Sequence, residues 1–523
     1  MNAYLYETLE WVFTAPEPAG SFADVELSVT IGLPGGEKTI PGFYAGNNTW
    51  KIRFLPEETG SFAYEVKGAA CESGELTVLP ARAGNHGPVR AKGIHLYYAD
   101  GKPFYSFGTT VYALAHQSSA LMDETIETLR HAPFNKIRIC LFPKHYDYNH
   151  NEPQYYAFEK EKDFAGDPEN PCYAEWDPSR PCFTFWDEFE KRLLQLFDIG
   201  MQVDLILFHP YDRWGFASMS QEKNCIYLDY LLRRFAAFPN MWWSMANEYD
   251  LVPKRSMEEW YALEEYVAVH DPYRHLISSH NCFKWYDFDR ENVTHVSWQT
   301  KQFSRIPEMM RRYGKPVMVD ECCYEGNLPH SWGSISGKEM TARFWRTTAV
   351  GGFCTHGETF VPGEDEVVWW ARGGKLIGES PKRIAFLREI MESLPGPLSP
   401  EEDRLGSVYE MDEKAREEMF AGMPESRLWF ARAVLRMDKV EASRFFAAEI
   451  HYAGQCGDDA FLTYCDVQTF SKFTLQLPET KKYRVEVIDT WNMTRETVKS
   501  GVNGTVEVDL PGREYMAVLA VAE

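Results

Sequence analysis

Apolar and polar positions alternate with period two over residues 23–31 and 49–54, and Pro41-Gly42, Gly46-Asn-Asn48 and Glu58-Thr-Gly60 interrupt the alternation. Period-two runs cut by turn residues predict a small antiparallel β-sandwich across residues 1–88. From about residue 103 the pattern changes. Short apolar runs at 104–111, 134–142, 202–208, 241–246, 276–279, 293–298, 316–321 and 352–356 read as strands, and helical spacing fills most of the gaps between them. In the second gap Trp186, Phe189, Leu193, Leu196 and Phe197 share one helical face, as in a helix lying on a sheet. Eight strands with helices between most of them predict an α/β fold, a (β/α)8 TIM barrel over residues 89–398. A doubly wound open sheet is the competing topology, but no glycine-rich phosphate loop follows any strand. Past Pro395-Gly-Pro-Leu-Ser-Pro400 the alternation returns at 482–488 and 505–510, which predicts a second β-sandwich over residues 399–523.

A length of 523 residues suits such a multidomain chain. The net charge of −23 argues against nucleic acid or an anionic membrane as partner. No basic n-region precedes an apolar run at the N-terminus and no 18-residue apolar stretch exists, so the expected location is cytoplasmic, with no membrane partner. Eleven cysteines without regular spacing predict neither a disulfide framework nor a zinc site. No His-x-His closes strand one, and the chain has no His-Glu-x-x-His and no Gly-x-Ser-x-Gly, so no metal and no cofactor are expected. Homo-oligomerisation is left open.

Function enters where the buried strands end. In Met241-Trp-Trp-Ser-Met-Ala-Asn-Glu-Tyr-Asp250 an apolar strand stops abruptly at Asn247 and Glu248, and Lys315-Pro-Val-Met-Val-Asp-Glu321 does the same at Glu321. Polar residues collect at the other ends too: Arg138 on strand two, His209 and Asp212 after strand three, His280 and Asn281 after five, Trp298 and Gln299 at six, His356 and Glu358 at eight. A lone histidine or glutamate at a strand end is usually a satisfied loop residue, whereas seven successive strands ending so is hard to explain by packing. The C-terminal strand ends of a parallel barrel form its active face. Strands four and seven lie across it, so Glu248 and Glu321 can flank a sugar at the mouth. Paired carboxylates are the equipment for glycosidic hydrolysis, about 5–5.5 Å apart for retention and ~6.5–9.5 Å for inversion. Arg138 is a cation suited to keeping a nucleophilic carboxylate ionised. Trp214, Trp298, Trp369 and Trp370 are candidate sugar-stacking platforms.

Asn-Glu closing strand four, Glu closing strand seven and Arg in strand two resemble a clan A glycoside hydrolase. A closer resemblance, to the apiosidase-like bacterial proteins often described as family five endoglucanases, spans nearly the whole chain. It is carried by Gly42-Phe-Tyr-Ala-Gly46 with Arg53-Phe-Leu-Pro56, Gly108-Thr-Thr-Val-Tyr112, Trp369-Trp-Ala-Arg-Gly-Gly-Lys375 with Gly378-Glu-Ser-Pro381, and Ile488-Asp-Thr-Trp-Asn-Met-Thr494. The resemblance implies an N-terminal Ig-like domain, a catalytic barrel, a C-terminal β domain and a carbohydrate substrate. It implies a retaining mechanism with Glu248 as acid/base, Glu321 as nucleophile and Asn247 on the sugar 2-hydroxyl. Arg138, His209, His280, Trp298, Gln299, Tyr324 and Glu358 complete the expected substrate site. The tyrosine supporting the nucleophile is Tyr324 or Tyr249. Trp298-Gln299 stands where family five has a strand-six tyrosine, and His356-Gly-Glu358 where it has a strand-eight tryptophan, which argues against a cellulase-like substrate.

Overall fold

The computed structural model describes the chain apart from residues 164–173, 253–254, 362–367, 402–407, 410 and 443–451. The described chain forms two compact units, one of residues 1–300, 313–340 and 353–388, the other of residues 301–312, 341–352 and 389–523.

The first unit contains eight parallel strands: β1 (Phe107–Thr110), β2 (Lys136–Cys140), β3 (Gln202–Phe208), β4 (Met241–Ala246), β5 (Ile277–Ser278), β6 (Val296–Gln299), β7 (Val317–Glu321) and β8 (Phe353–His356). Their order is β5-β4-β3-β2-β1-β8-β7-β6, so the first strand pairs with the last and the sheet curls on itself. Between β5 and β6 the backbone ladder gives way to a bond from the Thr294 N–H to the Ile277 carbonyl at 2.9 Å, and side chains add to it. Ser278 Oγ donates to the His295 carbonyl at 2.7 Å, and Thr294 Oγ1 donates to the Ile277 carbonyl at 3.0 Å. The sheet is therefore a nearly closed (β/α)8 barrel. Its strands are buried on both faces, which is why they read as near-continuous apolar runs.

The barrel interior is ionic beneath the mouth. Lys136 Nζ pairs with Asp320 at 2.6 Å and Asp204 at 3.0 Å, and Arg138 Nε lies 3.4 Å from Asp204. Ser297 and Thr355 donate to Asp320 at 2.5 and 2.9 Å. Opposite β6 the register skips a residue: Trp298 pairs with Val319 and Gln299 with Glu321. Asp320 is thus the extra residue of a β-bulge. Neighbours on a regular strand face opposite ways, and the bulge lets Asp320 turn into the barrel while Glu321 still reaches the mouth.

The first unit also holds, over residues 2–79, a five-stranded and a three-stranded β-sheet. These sheets dock on the barrel helices Phe183–Asp198 and Gln221–Phe235 through the stretches singled out above. Arg53 is buried and joins Glu10 (2.7 Å), Glu190 (2.5 Å) and the Arg234 carbonyl (2.7 Å), while Arg234 pairs with Glu190 at 2.7 Å. Gly46 has φ +84°, and a Cβ there would meet the Phe183 ring at 2.7 Å, so the close approach needs glycine.

The second unit contains a six-stranded sheet and a two-stranded one, packed around Leu475, Tyr483, Val485, Val508 and Val518. Two helices there, Glu413–Ala421 and Glu425–Val434, depart from the all-β expectation for this region. Among the described residues no helix is long and apolar enough to cross a membrane.

Candidate active site

Glu248 follows β4 directly. Its backbone is left-handed, φ 50° and ψ 55°, an uncommon conformation for a residue with a side chain. The turn is held from outside: Asp250 accepts the backbone N–H groups of Cys282, Phe283 and Lys284, each at 2.7 Å, which ties the β4 and β5 loops together. The Glu248 carboxylate accepts the Tyr211 hydroxyl and, at 3.4 Å, the Asn247 amide.

Glu321 closes β7, almost fully buried. It accepts the Tyr112 hydroxyl on Oε1, and Arg138 Nη1 stands 4.0 Å from the same oxygen. Gln299, with its amide oriented to donate, reaches Oε2 at 3.2 Å and the Asn281 carbonyl at 3.2 Å. Tyr112 is therefore the tyrosine bonded to Glu321. Tyr324 is buried beside both groups; burial, and after it the charge of Glu321, raises its pKa well above the usual value, although its hydroxyl has no well-aligned partner. Tyr249 turns away and donates to the Trp285 carbonyl at 3.0 Å.

Between Tyr112 and Tyr211 stands Lys144, which no motif in the sequence marks. Its ammonium lies 3.6 Å from the centre of the Tyr112 ring, 4.2 Å from that of Tyr211 and 4.7 Å from that of Tyr146. A buried cation is costly unless something replaces water, and three ring faces do so here. Burial lowers the Lys144 pKa, while both Glu248 and Glu321 act to raise it. One cation thus feels both carboxylates.

Burial and the like charge of Glu248 push Glu321 up to about 7, against the pull of Arg138, Lys144 and the Tyr112 hydrogen bond. Asp320 behaves oppositely. Burial would raise it, but Lys136, Arg138 and the Ser297 hydroxyl overcome that and hold it well below the usual carboxylate range. Arg138 is itself held above its ordinary value: burial opposes its charge, and Asp320, Tyr112, Asp204 and Glu321 outweigh that. Burial, helped by Lys144, lowers His209 to about 3, and burial with Arg138 drives His280 well below 6.5. Both imidazoles are therefore neutral, and Nδ1 of His209 and both nitrogens of His280 have no partner among the described residues.

Of the expected site residues, Asn247, Gln299 and Arg138 gather around the two glutamates, and Tyr324 joins them. His280 lies within the field of Arg138, and Trp298 is buried edge-on to Trp285. Trp214 and Trp369 are buried with their indole N–H groups donating to Glu152 and Thr109, as core residues do. Trp370 belongs to an aromatic cluster with Tyr112, Tyr146, Tyr324 and Trp332. Glu358 lies elsewhere: it accepts the Ile377 N–H at 2.9 Å and joins Glu325 and His356 in a second buried group. Tyr112, Lys144 and Tyr211 were missed. Each follows a barrel strand by a few residues, but only Lys144 carries a charge that a search for ionic strand ends could have found.

The sequence profile described as apiosidase-like, catalytic domain, matches residues 90–395. Two domains of unknown function, DUF5060 and DUF5605, match residues 3–69 and 449–520. Among solved structures, a protein of Bacteroides vulgatus ATCC 8482 described as a candidate glycoside hydrolase is 33% identical over 100% of both chains, with a TM-score of 0.84. A family 5 glycoside hydrolase of the same organism is 14% identical over 84% of this chain and 93% of its own, TM-score 0.60, a likeness of fold alone. No curated protein matches.

Proposed function

The chain belongs to the apiosidase-like family, and from that premise we propose that it is a clan A β-glycoside hydrolase that retains configuration and acts on short oligosaccharides or glycosides. Glu321 is the nucleophile and Glu248 the acid/base. The observation that carries this reading is the pair of buried carboxylates at the ends of β4 and β7, each bonded to a tyrosine and both facing Lys144.

Glu321 attacks the anomeric carbon as the bond to the leaving oxygen breaks, and Glu248 gives that oxygen its proton. Glu248, now a carboxylate, takes a proton from water, whose oxygen displaces Glu321 and restores the original configuration. The pair must therefore enter the reaction with one proton between them, and burial with the like charge of Glu248, which pushes Glu321 up to about 7, opposes ionising both at once. Arg138 and Lys144 both pull the Glu321 pKa down, the direction a nucleophilic carboxylate needs, against burial and the charge of Glu248. Asn247 is placed to meet the sugar 2-hydroxyl, and the neutral His209 and His280 offer hydrogen bonds without charge. Burial of both carboxylates suits a short sugar better than a polymer lying in an open groove.

We assign residues 1–88, 89–398 and 399–523 to an Ig-like domain, the catalytic barrel and a C-terminal β domain. The Arg53–Glu190–Arg234 junction supports a bracing role for the first. The test is a panel of aryl β-glycosides, pentosides included, followed by proton NMR with the best substrate. The β-anomer should appear first, and azide should rescue Glu248→Ala but not Glu321→Ala. An α-anomer as first product, or full activity in either variant, would sink the assignment.

A further inference from the structure

Behind Tyr324 lies a second constellation of buried ionisable groups. The two-residue strands Glu325–Gly326 and Glu358–Thr359 pair in parallel and set Glu325 and Glu358 side by side. His356, at the end of β8, completes the group. One ligand atom from each of the three lies within 4.8 Å of the others, and all three residues are buried.

The hydrogen bonds of this group are half finished. Glu325 accepts the N–H groups of Glu379 and Ser380 at 2.7 and 3.1 Å, and Glu358 Oε2 accepts that of Ile377 at 2.9 Å. Glu358 Oε1 and His356 Nε2 have no hydrogen-bond partner among the described residues, although they face each other at 3.7 Å. His356 is fully buried, stacked on Phe134 at 4.7 Å, and its Nδ1 lies 3.2 Å from Thr109 Oγ1. That contact suits the tautomer with the proton on Nδ1, whose Nε2 lone pair then points at the carboxylates. Backbone leaves room for the group: a Cβ on Gly378 would meet Glu358 Oε1 at 2.5 Å and Glu325 Oε2 at 2.6 Å. Two adjacent buried carboxyl groups and an imidazole lone pair facing them have room for a positive charge at their centre.

We propose that Glu325, His356 and Glu358 bind a divalent cation, Mn²⁺ or Zn²⁺ in preference to Ca²⁺. Metal–ligand bonds of about 2.0–2.2 Å place opposed ligands a little over 4 Å apart, so small side-chain shifts close the set around an ion. An imidazole beside two carboxylates favours a transition metal, since Ca²⁺ prefers oxygen throughout. The cation ties the segment after β7 to the segment after β8, directly behind Tyr324 and hence behind the mouth. No ligand-spacing rule would reveal it, because Glu325 and His356 come from different strand ends.

The experiment uses the full chain, purified without chelator for elemental analysis, then stripped with EDTA and titrated calorimetrically with MnCl2, ZnCl2 and CaCl2 while thermal unfolding is followed. Close to one equivalent of Mn²⁺ or Zn²⁺ should bind and raise the melting temperature. Glu358→Gln and Glu325→Gln, each checked for fold by circular dichroism, should weaken binding by at least about 100-fold. Wild-type protein that takes up neither Mn²⁺ nor Zn²⁺ overturns the proposal and leaves a proton shared by Glu325 and Glu358. Uptake of Ca²⁺ alone removes the imidazole from the ligand set. Uptake unchanged in both variants places the cation elsewhere, cysteine thiolates being the alternative for Zn²⁺ but a poor one for Mn²⁺.

Discussion

Two pairs of buried glutamates stand at the C-terminal face of the barrel, one at the ends of β4 and β7 and the other just after β7 and β8, and their partners set them apart. Glu248 and Glu321 are held by side chains: tyrosine hydroxyls, an amide on each, and cations at a short remove. Glu325 and Glu358 are held by backbone N–H groups of residues 377–380, leading into the helix Ser380–Glu392. Backbone donors are fixed in place and suit a permanent anion or metal ligand. Hydroxyls and ammonium groups can follow a charge that appears and disappears during a reaction. Carboxylate type and burial do not separate the two pairs. Hydrogen-bond partners do.

The sharpest way to break this comparison is Glu321→Gln, which should lower kcat on the order of 10⁴-fold while leaving the fold intact. If Glu325→Gln, within the folded protein, costs as much activity, the two pairs do not differ as described. Next is Lys144→Met. Removing a preorganised charge should cost about 100-fold in kcat. Since Lys144 lowers the pKa of Glu321, the step near pH 7 should move up, and the fall of kcat/KM with rising pH should move up with it. A merely structural lysine would leave that limb in place.

For the other pair the readout is stability. Glu325→Gln replaces an acceptor of two N–H groups by an amide and should cost about 2 kcal/mol in denaturant unfolding. The smallest expected effect is a gain. Burial and Glu248 raise Glu321 from 4.5 to about 7, so the folded state holds that proton more tightly than the unfolded chain. Stability from this group is full below about pH 4.5 and is lost as pH rises through 7. Glu321→Gln should therefore raise the melting temperature more at pH 8 than at pH 5, by roughly 1–2 kcal/mol in stability.

Much of the fold was readable because it is periodic. The expected third and fourth strands, 202–208 and 241–246, match their observed bounds, and the others shift by a few residues at frayed ends. The helices at 413–434 escaped notice because the reading of that region rested on the alternating runs further on, although Glu425–Val434 follows the same rules as any helix. In the mouth, Glu248, Glu321 and Arg138 stood out because charge at the end of an apolar strand is conspicuous. Trp214 and Trp369 were drawn toward the sugar by their type alone, and the structure spends their indole N–H groups within the protein.

The sequence by itself determined the barrel, since apolar runs long enough for strands and helical faces between them leave few other ways to bury so much surface. It also determined which strands end in carboxylates. Only the tertiary structure decided what those carboxylates are. Tyr112 and Glu321 lie 209 residues apart and meet only when the barrel closes. The bulge at Asp320 separates a buried ion-pair partner from the glutamate beside it, where alternation alone would have sent one of them out of the barrel. Lys144 acquires its influence from rings contributed by three loops. Charge and proton position depend on distance and dielectric, quantities that no local pattern along the chain encodes.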